Sequence, residues 1–164
     1  TRNENIDLIY ENKILDTGGA IKNAMNLFKE KNLLVVNSDI FWTIENIIDV
    51  KNLIKKYNIN RNPHLLIVEK SKSNGMKKLD GDFFLVKNKI KRFKKGSEIF
   101  FYTGLQLINP EIFENFPKGR FSMNEVWDYL IKKETLFGGV LKSKWYHVGD
   151  IQGLDIAKEF NSWF

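Results

Sequence analysis

The sequence contains no cysteine, which excludes disulfides and thiolate metal sites and fits a reducing, cytoplasmic setting. It has no apolar run approaching the ~20 residues that span a bilayer, and no basic-then-apolar leader pattern opens it. A membrane partner is therefore not expected. Arginine is scarce, 4 residues against 22 lysines. Base-edge readout in nucleic acid favours the bidentate guanidinium fork, so this imbalance argues against a sequence-reading nucleic-acid protein.

What is present is an ordinary globular composition. The 164 residues are 43% apolar, enough for one domain with a core, taken here as residues 1–164. The formal charge of +6 is unevenly spread: residues 70–95 hold ten basic side chains against Asp80 and Asp82. That stretch reads either as a nucleic-acid patch or as a solvated hairpin beside an anionic substrate, and the lysine excess favours the hairpin.

The first half alternates short apolar runs with helical periods. Residues 6–10 read as a strand. Thr17-Gly18-Gly19 reads as a turn before a helix whose Ile21, Ala24, Met25 and Phe28 share one face. The unbroken run at 33–37 has the pattern of a strand buried on both faces. A helix is predicted over 44–57 with Ile47, Ile54 and Tyr57 inward, and a strand over 65–69. Strands separated by helices predict a mostly parallel α/β sheet. The second half reads as hairpins over 83–86, 89–93 and 99–108. Ser122 and Glu125 form a capping-box pattern. Strands over 136–141 and 145–148 follow, and Asp150 caps a last helix carrying Leu154, Ile156 and Phe160.

Three features could carry chemistry. Gly18 and Gly19 allow close backbone approach to a ligand at a helix start, or simply make a tight turn. Asp39 follows the run at 33–37, where open α/β sheets bind ligands; it reads equally as a magnesium carboxylate or as a turn or cap residue. His147 could ligate a metal, shuttle a proton, or be a structural strand histidine.

In order along the chain, LDTGGAIKNAMNLF, LLVVNSDIFW, LDGDFFLV, FYTGLQLINPEIF, FSMNEVWDYLI and WYHVGD resemble successive blocks of bacterial sugar-1-phosphate nucleotidyltransferases. The similarity is to the N-acetylmuramate-1-phosphate uridylyltransferases and mannose-1-phosphate guanylyltransferase-like enzymes. The resemblance implies a Rossmann-like, mostly parallel sheet with helices on both faces and a small β-rich sugar-binding excursion. It implies a bacterial enzyme of nucleotide-sugar and cell-envelope synthesis that uses Mg2+, an NTP (UTP or GTP) and a sugar 1-phosphate.

Carried over by position, Gly18, Gly19 and Ala20 match the turn that contacts the nucleobase. Asp39 matches the magnesium-holding catalytic Asp. Gly81, Thr103 and Gly104 match sugar-contacting positions, and His147 stands where many members carry a second metal-binding Asp. The chain departs from the family pattern at Ser38, His147 and Asp150. It also lacks the family's first strands with their Gly-x-Gly-x-x-x-Arg loop and Lys-Pro. The expectation is thus the C-terminal two-thirds of such an enzyme, needing an N-terminal complementing chain or associating with itself. Catalytic inactivity and nucleic-acid binding are the alternatives.

Overall fold

A computed structural model describes residues 6–29, 32–57 and 63–159. Its helices are α1 (Asp16–Ala24), α2 (Ile44–Lys56), α3 (Met123–Lys132) and α4 (Ile151–Lys158). Its strands are β1 (Leu33–Val36), β2 (Ile40–Phe41), β3 (His64–Glu69), β4 (Ser73–Asn74), β5 (Phe83–Val86), β6 (Lys89–Arg92), β7 (Phe100–Ile108), β8 (Phe137–Leu141) and β9 (Trp145–His147).

Six strands form one sheet in the order β1-β7-β3-β8-β6-β5. β5 also returns to β7, pairing Phe83 with Phe100, so all of them but β1 close into a small barrel. Strands β2, β9 and β4 form a second, small sheet. The α/β class is as expected, but the mostly parallel sheet is not. In the main sheet only β3 and β8 run parallel, while β7 lies antiparallel to both β1 and β3. The physical reason is the placement of β7: this nine-residue strand inserts between β1 and β3 and runs against both, which separates strands that would otherwise lie parallel.

Two apolar clusters sandwich the sheet. α1 and α3 supply Ile21, Met123, Val126, Trp127 and Leu130 to one, against Leu65, Ile67, Phe83 and Ile90. α2 supplies Leu53 to the other, against Leu66, Val68, Phe101, Leu107 and Trp145. Alternate residues of β3 thus enter opposite clusters, as the period-2 pleat requires. Full burial of each such side chain contributes about 1.5–3 kcal/mol. The Ser122–Glu125 capping box starts α3, and Asp150 caps α4 by accepting from Gly153 N at 2.8 Å.

Four further expectations are corrected. Residues 6–10 form no strand; they lie exposed, with Leu8 at 94% and Tyr10 at 85%, because no strand among the described residues pairs with their backbone. Thr17, Gly18 and Gly19 are not a turn but belong to α1, which begins at Asp16. β1 is an edge strand, half-buried in alternation rather than covered on both faces. α2 turns Ile47 and Ile54 outward and buries Asn46, Asp49 and Leu53. Its polar inner face is occupied: Asn46 donates to Ser143 Oγ and Lys144 O, and Asp49 accepts from the Lys142 and Ser143 amides. Phe160 lies outside the described residues.

Candidate active site

A cavity of about 330 Å3 opens where β1, β7, β9 and the starts of α1 and α3 converge. Asp39 reaches it because β1 ends at Val36 and a turn delivers the chain into β2. β2 pairs with β9, setting Ile40 opposite His147, and Val148 N donates to Asp39 O at 2.8 Å. Asp39 Oδ2 then lies 3.5 Å from His147 Nε2. Asp39 Oδ1 and His147 Nδ1 are buried without hydrogen-bond partners. Gly149 lies directly against the pair: a Cβ there would meet His147 Cε1 at 2.6 Å and Asp39 Oδ2 at 3.4 Å.

Gly104 is brought to the same cavity by a bulge. β3 pairs Leu65 with Gln106 and Ile67 with Tyr102, so β7 advances four residues where β3 advances two. Within the extra length Gly104 takes φ +81° and its carbonyl accepts from Asn37 N at 2.7 Å. Tyr102 and Gln106 flank Gly104 along β7 and line the cavity with it. Gln106 accepts from Trp127 Nε1 at 3.1 Å, and Tyr102 rests edge-on to the Trp127 ring at 4.8 Å. Burial pushes the Tyr102 phenol far up, so it stays protonated. Asp82 Oδ2 accepts from Tyr102 N at 3.0 Å, fixing a second carboxylate on the wall. Asp16, in the left-handed region at φ 62°, supplies a third and holds Thr17 N at 2.7 Å.

Not every residue singled out in the sequence lines this cavity. Asp39, Gly104 and His147 do. Thr103 is fully buried and spends its hydroxyl on Leu66 O at 2.8 Å. Gly81 is buried against Ile99 and Phe100, while its neighbour Asp82 lines the wall. Gly18 and Gly19 pack under the 119–121 loop. Gly19 N donates to Phe121 O at 3.1 Å, and a Cβ on Gly18 would meet the Phe121 ring at 2.6 Å. Ala20 is half-buried behind them, and it is Asp16 and Thr17 that reach the cavity. Asn37, Asp82, Tyr102, Gln106 and Trp127 also line the cavity, without a motif in the sequence that marks them. Strand periodicity was the available signal for two of them, since Tyr102 and Gln106 share one side of β7 with Gly104.

No family model matches the chain. A curated relative does: N-acetylmuramate alpha-1-phosphate uridylyltransferase of Caulobacter vibrioides, 32% identical over 141 residues, or 84% of this chain. Over most of its own length the chain is thus similar to a sugar-1-phosphate nucleotidyltransferase. It spans 58% of that relative's length. Among solved structures, HddC of Yersinia pseudotuberculosis, complexed with GMP-PN, matches with a TM-score of 0.71 at 23% identity. That match covers 94% of this chain and 66% of that one. A putative glucose-1-phosphate thymidylyltransferase from Bacillus anthracis matches at TM-score 0.70 and 13% identity, over 94% of this chain and 64% of that one. These two likenesses speak for the fold alone.

The donor set at Asp39 suits a hard cation. Its buried Oδ1 has no hydrogen-bond partner, and magnesium is commonly held by one or two carboxylates with substrate phosphates completing its shell. Among the described residues no group of three or more His, Cys, Asp or Glu could hold a metal on its own. An imidazole such as His147 is a poor magnesium ligand. No helix among the described residues is long and apolar enough to cross a membrane.

Proposed function

We propose that this chain carries the sugar-phosphate side of a nucleotidyltransferase. In the intact reaction a sugar 1-phosphate oxygen attacks the α-phosphorus of an NTP. The new P–O bond forms as the α–β bridging bond breaks, and pyrophosphate leaves. The observation that carries this reading is Asp39, aimed into a polar cavity with one carboxylate oxygen unpartnered. The 32% identity to a uridylyltransferase supports it.

Asp39, with His147 beside it, would hold magnesium against the substrate phosphates. The ion would supply charge neutralisation as pyrophosphate departs. The chain's own contribution is positioning. Asp39 is held by the β2–β9 pairing. Gly104 leaves the floor open to the sugar, with Tyr102, Gln106 and Asn124 offering polar groups around it. His147 orients Asp39 or a phosphate-bound water. For Gly18, Gly19 and Ala20 the nucleobase role is kept for the α1 N-terminus as a whole, through Asp16 and Thr17 at the cavity. Gly81 and Thr103 would shape the sugar wall from behind, through Asp82 and the β7 bulge.

The test is pyrophosphate release from UTP or GTP with N-acetylmuramate 1-phosphate or mannose 1-phosphate and magnesium, alongside calorimetric binding of each component. Release with one pair is expected once the fold's open edge is satisfied. Absence of release together with absence of nucleotide and sugar-phosphate binding overturns the reading.

A second reading is favoured by β1. Among the described residues it is paired on one side only, by β7, and keeps Leu34 and Val36 exposed at 46% and 47%. An open apolar edge recruits another strand, so the active species would be a complex, either with a complementing chain or with a second copy. Nucleic-acid binding finds less support. In the basic hairpin Lys89 and Lys91 pair with Glu134, Arg92 with Asp128, and Lys78 with Asp82.

A further inference from the structure

The cavity has an electrostatic imbalance. Asp16, Asp39 and Asp82 line it together with His147, and no lysine or arginine is among the lining residues. A dianionic phosphate entering three carboxylates is repelled unless a cation reaches it. One side chain is built to do so. Lys78 Nζ lies 2.7 Å from Asp82 Oδ1, on a carboxylate whose other oxygen is fixed by Tyr102 N. Asp82 is thereby rigid, and its backbone amide donates to Phe100 O at 2.9 Å. Lys78 is not: its side chain is 51% exposed. The segment carrying it is tethered at Leu79 O by Lys70 Nζ, 3.2 Å away. An exposed ion pair is weak and exchanges readily, and the ammonium on its long stem suits phosphate as a mobile point charge. The preceding lysine pairs away from the cavity lining. Lys77 lies 2.7 Å from Asp150, the α4 cap, which does not line the cavity.

We propose that Lys78 is the phosphate-receiving cation of this cavity. It is held at the rim by Asp82 and transfers from that carboxylate to the phosphoryl oxygens of the bound sugar phosphate. The identity of the ligand rests on the functional reading above; the anion-receiving role of Lys78 stands on the cavity and the pair.

The test is calorimetry on the full chain with EDTA present, using a hexose 1-phosphate, the free hexose and inorganic phosphate as probes. Lys78→Met, Lys78→Arg and Lys77→Met are compared, with circular dichroism confirming that each folds. Lys78→Met is expected to weaken hexose 1-phosphate and inorganic phosphate about 10-fold and to leave the free hexose unchanged. Lys78→Arg should recover most of the loss, and Lys77→Met should behave as the parent. Equal phosphate affinity in Lys78→Met and the parent overturns the proposal. So does an equal loss for hexose and hexose phosphate, or a parent chain that binds no phosphate at all. If the parent binds inorganic phosphate through Lys78 but no sugar phosphate, the sugar-nucleotide reading fails and the anion role of Lys78 is upheld.

Discussion

Asp39 and His147 face each other across the β2–β9 pairing, carboxylate oxygen to imidazole nitrogen, at 3.5 Å. The two are unequal partners for a hard cation. Asp39 keeps a second oxygen without a hydrogen bond, whereas His147 offers only nitrogen. Asp39→Asn is therefore expected to abolish magnesium-dependent nucleotide binding while far-UV dichroism stays native. Undiminished binding, measured by titration with and without magnesium, would remove Asp39 from the metal site.

His147→Ala tests the other half of the pair. The imidazole contacts Asp39 and sits under Gly149, so its loss frees the carboxylate without removing an oxygen ligand. The expected effect on turnover is about 10-fold, the scale of a lost outer-shell partner, and much smaller than that of Asp39→Asn. Equal losses in the two variants, compared at saturating magnesium, would make His147 a direct ligand.

Gly104 is the residue through which the β7 bulge serves the cavity. Alanine there must adopt φ +81° and place its Cβ 2.8 Å from Ile40 Cγ1 and 3.0 Å from Asn37 Cβ. Gly104→Ala should lower stability by about 1–3 kcal/mol and displace the Asn37–Asp39 turn, so nucleotide binding falls as well. A denaturation midpoint within error of the parent would mean that the bulge tolerates a side chain.

Much of this architecture was legible in the sequence, and the exceptions share a cause. The capping box at Ser122, the Asp150 cap, the strand preceding Asp39 and the β5–β6 hairpin follow from local chemistry. Their signals lie within a few residues of one another. Residues 6–10 have strand composition but no partner strand among the described residues, and pairing is not a local property. The direction of β7 depends on which strands it lies between. Asp82 reaches the wall that Tyr102 and Gln106 share with Asp39 because β5 returns to β7. Thr103 belongs to a recognisable block, yet its side chain falls on the far parity of the strand.

Helix α2 makes the same point as an energetic expectation. By periodicity alone its isoleucines should face inward. Instead Asp49 is buried and accepts from Lys142 N at 2.8 Å, Ser143 N at 3.3 Å and Ser143 Oγ at 3.1 Å. Asp49→Ala strands those donors and should cost about 2–3 kcal/mol. Ile48→Ala, at a position 64% exposed, should cost within ~0.5 kcal/mol. Urea midpoints in the reverse order would show that the helix packs through its isoleucines.

The open edge of β1 gives the last expectation. β7 satisfies one side of the strand through the Leu33–Ile108 to Val36–Leu105 register. Among the described residues no strand pairs with its other side. Leu34 and Val36 lie opposite Leu107 and Leu105 of the α2-side cluster, yet they stay near half exposure. That combination of free backbone and apolar side chains is a template for another strand. Concentration-dependent self-association is therefore expected in sedimentation velocity, and it should fall when Leu34→Lys and Val36→Lys place charge on the edge. The monomer's fold should survive both changes, because neither side chain is buried. Activity should track the assembled fraction if strand addition completes the sheet that carries Asp39. A chain that sediments as a monomer at every concentration, and is no less active when dilute, would show that the edge needs no partner.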